Sequence, residues 1–211
     1  YGALLSDEGS GFHVGLEALK AIVRHYDGMG DPVEFEKSVL DRLGVPHVSD
    51  MIGWVNSSAA SRDRIAAIAE VVVRAAADDD PIADEILNRQ ADRLATSVNA
   101  LHRQLAFPER VDIVLSGGLF QDASLYWQIM RRKIHYFLPG ANVVAPKLEP
   151  VMGAALYALS IAGIAIDEDL IDLARRSFRE MQDAKPVSQM NPPVAPALEE
   201  TDTVSSEEIE S

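Results

Sequence analysis

A short run of β-branched residues that ends in two adjacent glycines constrains the fold of this 211-residue chain more than any other segment. The segment reads Val111-Asp-Ile-Val-Leu-Ser-Gly-Gly-Leu-Phe120, and a helical pattern begins near Asp122. Glycines at the carboxyl end of a buried strand let the backbone approach a bound molecule closely, because they lack a Cβ and tolerate positive φ. Taken by itself, the segment fits a ligand site at a strand end and an ordinary strand-to-helix turn equally well.

The elements around this segment alternate between strand and helix. A strand at Val111–Leu115 and a helix from Asp122 to about His135 are followed by a short strand at Ala141–Val144. Helices are then predicted at Val151–Leu159 and from Asp167 to about Met181, the latter with the apolar residues Leu170, Leu173 and Phe178. Strands joined in this way are normally parallel, with a right-handed crossover. The alternation therefore predicts an α/β fold.

The first half of the chain is predicted to be mainly helical. An apolar residue recurs every three or four positions in the first helix, at Phe12, Leu16, Leu19, Val23 and Tyr26. A second such pattern, which includes Leu101, runs to about Leu105 and predicts the longest helix. The triple aspartate Asp78–Asp80 before it could bind a metal, but Asp80 followed by Pro81 is typical of a helix start. We therefore expect a helix cap there and predict no metal site.

Composition excludes several classes of function. The formal net charge of −14 argues against nucleic-acid binding, which needs a basic surface. The chain has no cysteine, and this fits a reducing compartment. We find no apolar run of the roughly 18 to 20 residues that span a membrane and no signal peptide. We therefore expect a cytoplasmic protein without membrane or nucleic-acid partners.

The first eleven residues form a second candidate site. Tyr1–Ser6 is predicted to be a short strand, and Asp7-Glu-Gly-Ser-Gly11 leads into the first helix. In one interpretation Asp7 or Ser10 caps this helix and Glu8 favours its positive end. In the other, a carboxylate held on a flexible glycine turn accepts hydrogen bonds from the hydroxyls of a polyol. The residues alone leave both interpretations open.

The order of these motifs resembles a known family. The motifs are Tyr1-Gly2 with Ser6-Asp-Glu-Gly-Ser-Gly11, Asp27-Gly-Met-Gly-Asp-Pro32, the long helix with Ala91 and Leu94, Leu115-Ser-Gly-Gly-Leu-Phe120 and Pro150-Val-Met-Gly-Ala-Ala-Leu156. In this order they resemble the C-terminal half of the N-acetylglucosamine kinases, within the BadF/BadG/BcrA/BcrD ATPase-like family. The resemblance covers about residues 1–164. It implies the C-terminal lobe of a ribonuclease H-like, actin-like ATPase fold with inserted helices.

The resemblance also implies site residues and ligands. In such kinases the aspartate of the Asp-Glu-Gly-Ser motif and the aromatic-glycine pair before it contact the sugar, which implies Asp7, Tyr1 and Gly2. The glycine pair belongs to the adenosine-binding motif, which implies Gly117 and Gly118 at the nucleotide, with Gln90 as a further candidate from the long helix. The implied cofactors are ATP and Mg²⁺.

The implied function is that of an ATP-dependent kinase of an amino sugar, N-acetylglucosamine or glucosamine. The family's phosphate-binding hairpin and general-base aspartate precede the matched region, so we expect the catalytic residues in an N-terminal lobe of the same protein. A homodimer, with a second copy of the chain as partner, is a further possibility. One alternative is an ATPase activator of acyl-CoA dehydratases or reductases, although such activators hold their cluster through cysteines. Another alternative is a non-catalytic nucleotide- or sugar-binding module.

The end of the chain differs in composition. From residue 183 to residue 211 it combines prolines with carboxylates and has no hydrophobic periodicity. We therefore predict one lobe over residues 1–182 and a disordered acidic tail over residues 183–211.

Overall fold

A computed structural model of the protein describes residues 5–120 and 124–183, and it divides into two units, residues 1–150 and 151–211. The helices of the first unit, in chain order, are α1 Gly11–Tyr26, α2 Glu36–Leu43, α3 Met51–Val55, α4 Arg62–Ala66, α5 Ala69–Ala77, α6 Pro81–Gln104 and α7 Leu125–Phe137. Its strands are β1 Asp112–Val114 and β2 Asn142–Val144. The helices α8 Pro150–Ile161 and α9 Glu168–Asp183 follow. The fold is mixed α/β, rich in helix, with a small sheet.

The triple aspartate starts a helix, as predicted. The Asp80 carboxylate accepts a hydrogen bond from the Ala83 amide at 2.8 Å, and Pro81 occupies the first position of α6. The first four backbone amides of a helix have no acceptor within the helix, and this bond satisfies one of them. Pro81 has no amide hydrogen and therefore needs no acceptor. The prediction of a helix cap at Asp80 is therefore confirmed.

Helix α6 is the centre of the first unit. It packs against α1, α5 and α7, and its apolar residues Ile86 and Leu87 are buried. Burying one such side chain stabilises the fold by about 1.5 to 3 kcal/mol. The apolar pattern of this helix continues through Leu101 and Leu105, but these side chains are 52% and 58% exposed. Periodicity shows which side of a helix faces a neighbour, but not where along the helix that neighbour ends.

The end of α1 shows the same behaviour. Its earlier turns bury Leu19 and Ile22, whereas Val23 and Tyr26, which continue the apolar pattern, are 39% and 61% exposed. The helix ends at Tyr26, and Asp27 follows as its C-terminal cap. The apolar stripe of the sequence thus extends beyond the buried part of α1.

An ion-pair network ties α1 to α6. Glu17 accepts hydrogen bonds from Lys20 at 2.8 Å and from Arg89 of α6 at 3.1 Å, and Arg89 also bonds Glu85 at 3.0 Å. Burial raises the pKa of the Glu17 carboxyl, but the Lys20 hydrogen bond and the charges of Lys20, Arg89 and Arg93 outweigh it, so the pKa is lowered overall. Glu17 is therefore more stable as a carboxylate in the folded protein than in the unfolded chain.

The sheet confirms the predicted parallel pairing. In β1 and β2, Ile113 pairs with Val143, and α7 lies between the two strands in sequence. The predicted start of that helix at Asp122 lies outside the described residues. The structure begins α7 at Leu125, after a cap in which the Ser124 hydroxyl accepts from the Trp127 amide at 3.1 Å.

Helix α8 is followed by a turn at Gly163 and then by α9. Leu173, one of the apolar residues noted on α9, is 52% exposed. Within residues 5–120 and 124–183, no helix has the length and apolar character needed to cross a membrane.

The predictions for the two ends of the chain are largely outside the described residues. Of the predicted strand at residues 1–6, only Leu5 and Ser6 are described, and neither is in a strand. Residues 184–211 of the predicted tail also lie outside the described residues.

Candidate functional site

Two turns that are more than 100 residues apart in sequence line one cleft of about 640 Å³. One wall is formed by Gly9–Gly11 and the other by Ser116–Phe120. Between them, Ala66 and Ala67 at the end of α4 and Glu70 and Val73 of α5 complete the lining. A volume of this size falls within the roughly 300 to 1,000 Å³ of small-molecule sites. The fold thus brings the two motifs singled out in the sequence to the same cleft.

The first wall is a tight turn that starts α1. The Ser10 amide donates to the Asp7 carbonyl at 3.0 Å, and the Ser10 hydroxyl accepts from the His13 amide at 3.3 Å. Ser10 is therefore the helix cap, which decides between the two candidates left open by the sequence. The side chain of Asp7 has no capping role and is available for other contacts.

The Asp7 carboxylate lies at the surface of this turn. It pairs with the guanidinium of Arg62, at the start of α4, and its side chain remains 29% exposed. The neighbouring Glu8 pairs with Arg93 of α6 at 3.4 Å. Partly exposed pairs of this kind contribute only about 0 to 1 kcal/mol to stability. The exposed part of Asp7 can therefore accept hydrogen bonds from a ligand at little cost to the fold.

Gly9 is held from both sides by buried side chains. Its amide donates to Oε1 of Gln90 at 3.0 Å, and its carbonyl accepts from the Tyr126 hydroxyl at 2.9 Å. Its φ is +81°, and a Cβ built there would lie 2.5 Å from the Cβ of Leu94. Only glycine combines this backbone conformation with so close an approach to α6.

The second wall follows the end of β1. Gly117 has a φ of +126°, and a Cβ added at Gly118 would meet nothing within 4 Å. The Phe120 amide donates to the Gly117 carbonyl at 3.0 Å, and the Ser124 hydroxyl donates to the Leu119 carbonyl at 2.8 Å. The turn is thus fixed by its own hydrogen bonds, while its glycines face open space.

The glycine pair also borders a second cavity, of about 420 Å³. On its other side this cavity is lined by residues that follow β2, including Ala145, Pro146 and Glu149. The carboxyl ends of both parallel strands therefore meet at the glycine pair. This is the edge at which α/β sheets bind their ligands.

The structure corrects the predicted contact of Gln90 with a nucleotide. The Gln90 side chain is 0% exposed, and it supports the Gly9 amide instead of lining the cleft. Asp7 and the two glycines lie where a ligand can reach them. Tyr1 and Gly2 lie outside the described residues.

Sequence reasoning missed Tyr126, which is fully buried. It precedes Ile129 and Met130 by three and four residues, so helical spacing could have placed it in the core. Its partner Gly9 lies 117 residues away, and no local pattern could have indicated that contact.

With this geometry established, comparison with known proteins identifies the family. A model of the BadF/BadG/BcrA/BcrD ATPase family matches residues 1–158, a range that contains both turns of the cleft and α1 to α7. The chain belongs to the BadF/BadG/BcrA/BcrD ATPase family. The family predicted from the order of the motifs is therefore confirmed.

Two relatives of the chain are sugar kinases. The N-acetylmuramic acid/N-acetylglucosamine kinase of Clostridium acetobutylicum is 27% identical over 161 residues, which is 76% of this chain and 53% of that protein. The N-acetyl-D-glucosamine kinase of Dictyostelium discoideum is 26% identical over 163 residues, which is 76% of this chain and 51% of that protein. The chain spans about half the length of these relatives.

Proposed function

We propose that the chain is the C-terminal lobe of an ATP-dependent kinase that phosphorylates an amino sugar. The observation that carries this proposal is that the last three residues of the Asp-Glu-Gly-Ser-Gly turn, Gly9–Gly11, and the glycine pair line one cleft. Membership in an ATPase family and the names of the two relatives support it. The lobe assignment rests on the resemblance and on the half-length match to both kinases.

The turn that carries Asp7, whose residues Gly9–Gly11 line the cleft, suits a sugar. A carboxylate accepts hydrogen bonds, and sugar hydroxyls donate them. A hydrogen bond to a charged group contributes about 1.5 to 3 kcal/mol, enough to orient one hydroxyl. We assign Asp7 to the sugar, with Tyr1 and Gly2 of the same motif as further proposed contacts. The substrate class is an amino sugar such as N-acetylglucosamine, N-acetylmuramic acid or glucosamine.

The glycine side of the cleft suits a nucleotide. The space beside Gly118 is open, so a flat adenosine can approach the backbone without meeting a side chain. ATP would supply the phosphoryl group, and Mg²⁺ would enter with its phosphates. In the part of the chain that the structure describes, no three His, Asp or Glu side chains form a group that could hold a metal ion. We therefore assign no residue of this chain as a Mg²⁺ ligand.

Phosphoryl transfer also needs a base near the attacking hydroxyl and an in-line triphosphate. We place both in the N-terminal lobe, as the resemblance implies. Closure of the two lobes would exclude water, so that the phosphoryl group reaches the sugar rather than solvent. The role of this lobe is to bind and orient the sugar and the adenosine.

The test is ATP consumption by the intact protein with a panel of sugars. At least one amino sugar should raise the rate about tenfold or more above the rate without sugar, while glucose serves as the matched control without nitrogen. ATP binding without acceleration by any sugar would contradict the kinase and favour a non-catalytic module.

A further inference from the structure

One buried side chain contacts both walls of the cleft. Tyr126 of α7 has no exposed surface, and its hydroxyl donates to the Gly9 carbonyl at 2.9 Å. Its ring stacks on Phe120, with ring centroids 5.3 Å apart and an angle of 21° between the planes. Phe120 ends the short turn that Gly118 begins. Tyr126 therefore lies between the turn at Asp7–Ser10 and the turn at Gly117–Phe120.

The bond between Tyr126 and Gly9 resists displacement. Burial raises the pKa of the Tyr126 hydroxyl, so it stays protonated and keeps its donor at physiological pH. If Gly9 moved away, a buried hydroxyl and a buried carbonyl would lose their partners, at about 1 to 3 kcal/mol for each unsatisfied group. Moving Gly9 would also break the hydrogen bond from its amide to Gln90 of α6, which leaves another buried donor without a partner. If the turn at Gly117–Phe120 shifts, Phe120 moves against the ring of Tyr126. Because the Tyr126 hydroxyl is bonded to Gly9, that movement is transmitted to the turn at Asp7–Ser10.

We infer that Tyr126 is a positioning residue that couples the two turns, so that a ligand ordering one turn raises the affinity of the other turn for its own ligand. This inference rests on the proposed function for the identity of the two ligands. By linkage, the effect of nucleotide on sugar affinity equals the effect of sugar on nucleotide affinity. Couplings of this kind typically change affinities about 5- to 150-fold.

The equilibrium test compares two conservative variants of one helix in the intact protein. Tyr126→Phe removes the hydroxyl and keeps the ring stack, whereas Tyr136→Phe removes the hydroxyl of a residue that is 81% exposed. The dissociation constant of the amino sugar is measured with and without a non-hydrolysable ATP analogue. We expect the ATP analogue to lower the dissociation constant of the sugar about fivefold or more in the wild type and in Tyr136→Phe, and to leave it nearly unchanged in Tyr126→Phe. If the analogue lowers the dissociation constant in Tyr126→Phe as much as in the wild type, the inference is overturned.

A second measurement needs no ligand. Hydrogen exchange of the backbone amides at residues 9–14 and 118–120 should be faster in Tyr126→Phe than in Tyr136→Phe, in both segments. Unchanged exchange in either segment would refute the coupling. If no sugar accelerates ATP consumption by the wild type, the proposed function fails while this result still decides the coupling.

A third variant tests the same contact from the other turn. Phe120 is half-buried, so Phe120→Leu should fold even if Tyr126→Phe does not. It leaves the Gly9 hydrogen bond in place and removes the ring stack. Faster exchange at residues 9–14, on the opposite wall, supports the coupling. If exchange becomes faster only at residues 118–120, the coupling is contradicted.

Discussion

Replacing Gly9 with alanine should destabilise the protein through two separate terms. The φ of +81° costs an L-residue about 1 to 2 kcal/mol. The new Cβ would also lie 2.5 Å from the Cβ of Leu94 and 3.1 Å from the carbonyl oxygen of Gln90. The turn or α6 must then shift, and overpacking of this kind costs about 1 to 3 kcal/mol. The expected loss of unfolding free energy is about 2 to 5 kcal/mol.

Gly28→Ala is the matched control. Its φ is +71°, and a Cβ there would meet nothing within 4 Å, so only the backbone term of about 1 to 2 kcal/mol applies. Urea unfolding of the wild type and both variants measures the two losses. The difference between the variants isolates the close approach of the turn to α6. Equal losses in Gly9→Ala and Gly28→Ala would refute this reasoning.

Three further predictions concern single side chains around the turn and α1. Asp7→Asn should raise the sugar dissociation constant about tenfold or more while costing at most about 1 kcal/mol in urea unfolding, and a larger stability loss with unchanged sugar affinity would contradict the binding role. Gln90→Leu leaves the buried Gly9 amide without an acceptor, at about 1 to 3 kcal/mol, but also removes the unpaired Nε2 donor of Gln90, so a net loss of about 1 to 2 kcal/mol is expected; no loss would show that the hydrogen bond is not needed. Because the pKa of Glu17 is lowered on folding, its contribution to stability is present above its unfolded value of 4.5 and is lost as the pH falls through the folded value. Glu17→Gln should therefore be destabilised less than the wild type by a change from neutral pH to a pH below 4.5, as measured by urea unfolding, and equal losses in the two proteins would contradict this role of Glu17.

Local sequence patterns predicted the elements that carry the site. The β-branched run before Gly117 predicted a strand from a few neighbouring residues. The strand-helix-strand order predicted its parallel partner, because a helix that connects two strands normally returns the chain to a parallel neighbour. The Asp80-Pro81 pair predicted a helix start from two neighbouring residues. These features depend on backbone hydrogen bonds and capping, which short segments determine.

The contacts that hold the site together could not be predicted in this way. Gln90 lies 81 residues from Gly9, and Tyr126 lies 117 residues from it. Each is a polar residue on its own amphipathic helix. The sequence shows which side of that helix the residue lies on, but not which distant residue it contacts. The resemblance made Gln90 a further candidate for the nucleotide, whereas in the structure its buried side chain accepts from the Gly9 amide.

If the glycine pair faces a nucleotide, a side chain added at Gly118 should obstruct ATP, and the ATP affinity of Gly118→Val measures this. A Cβ at Gly118 meets nothing within 4 Å, and the same holds for Gly53 in α3, so Gly53→Val is the matched control. Both variants should unfold in urea within about 1 kcal/mol of the wild type, because a Cβ at either position has no atom of the fold within 4 Å. Gly118→Val, but not Gly53→Val, should weaken ATP binding by the intact protein about tenfold or more, equivalent to about 1.4 kcal/mol. Wild-type ATP affinity in a folded Gly118→Val variant would contradict this prediction.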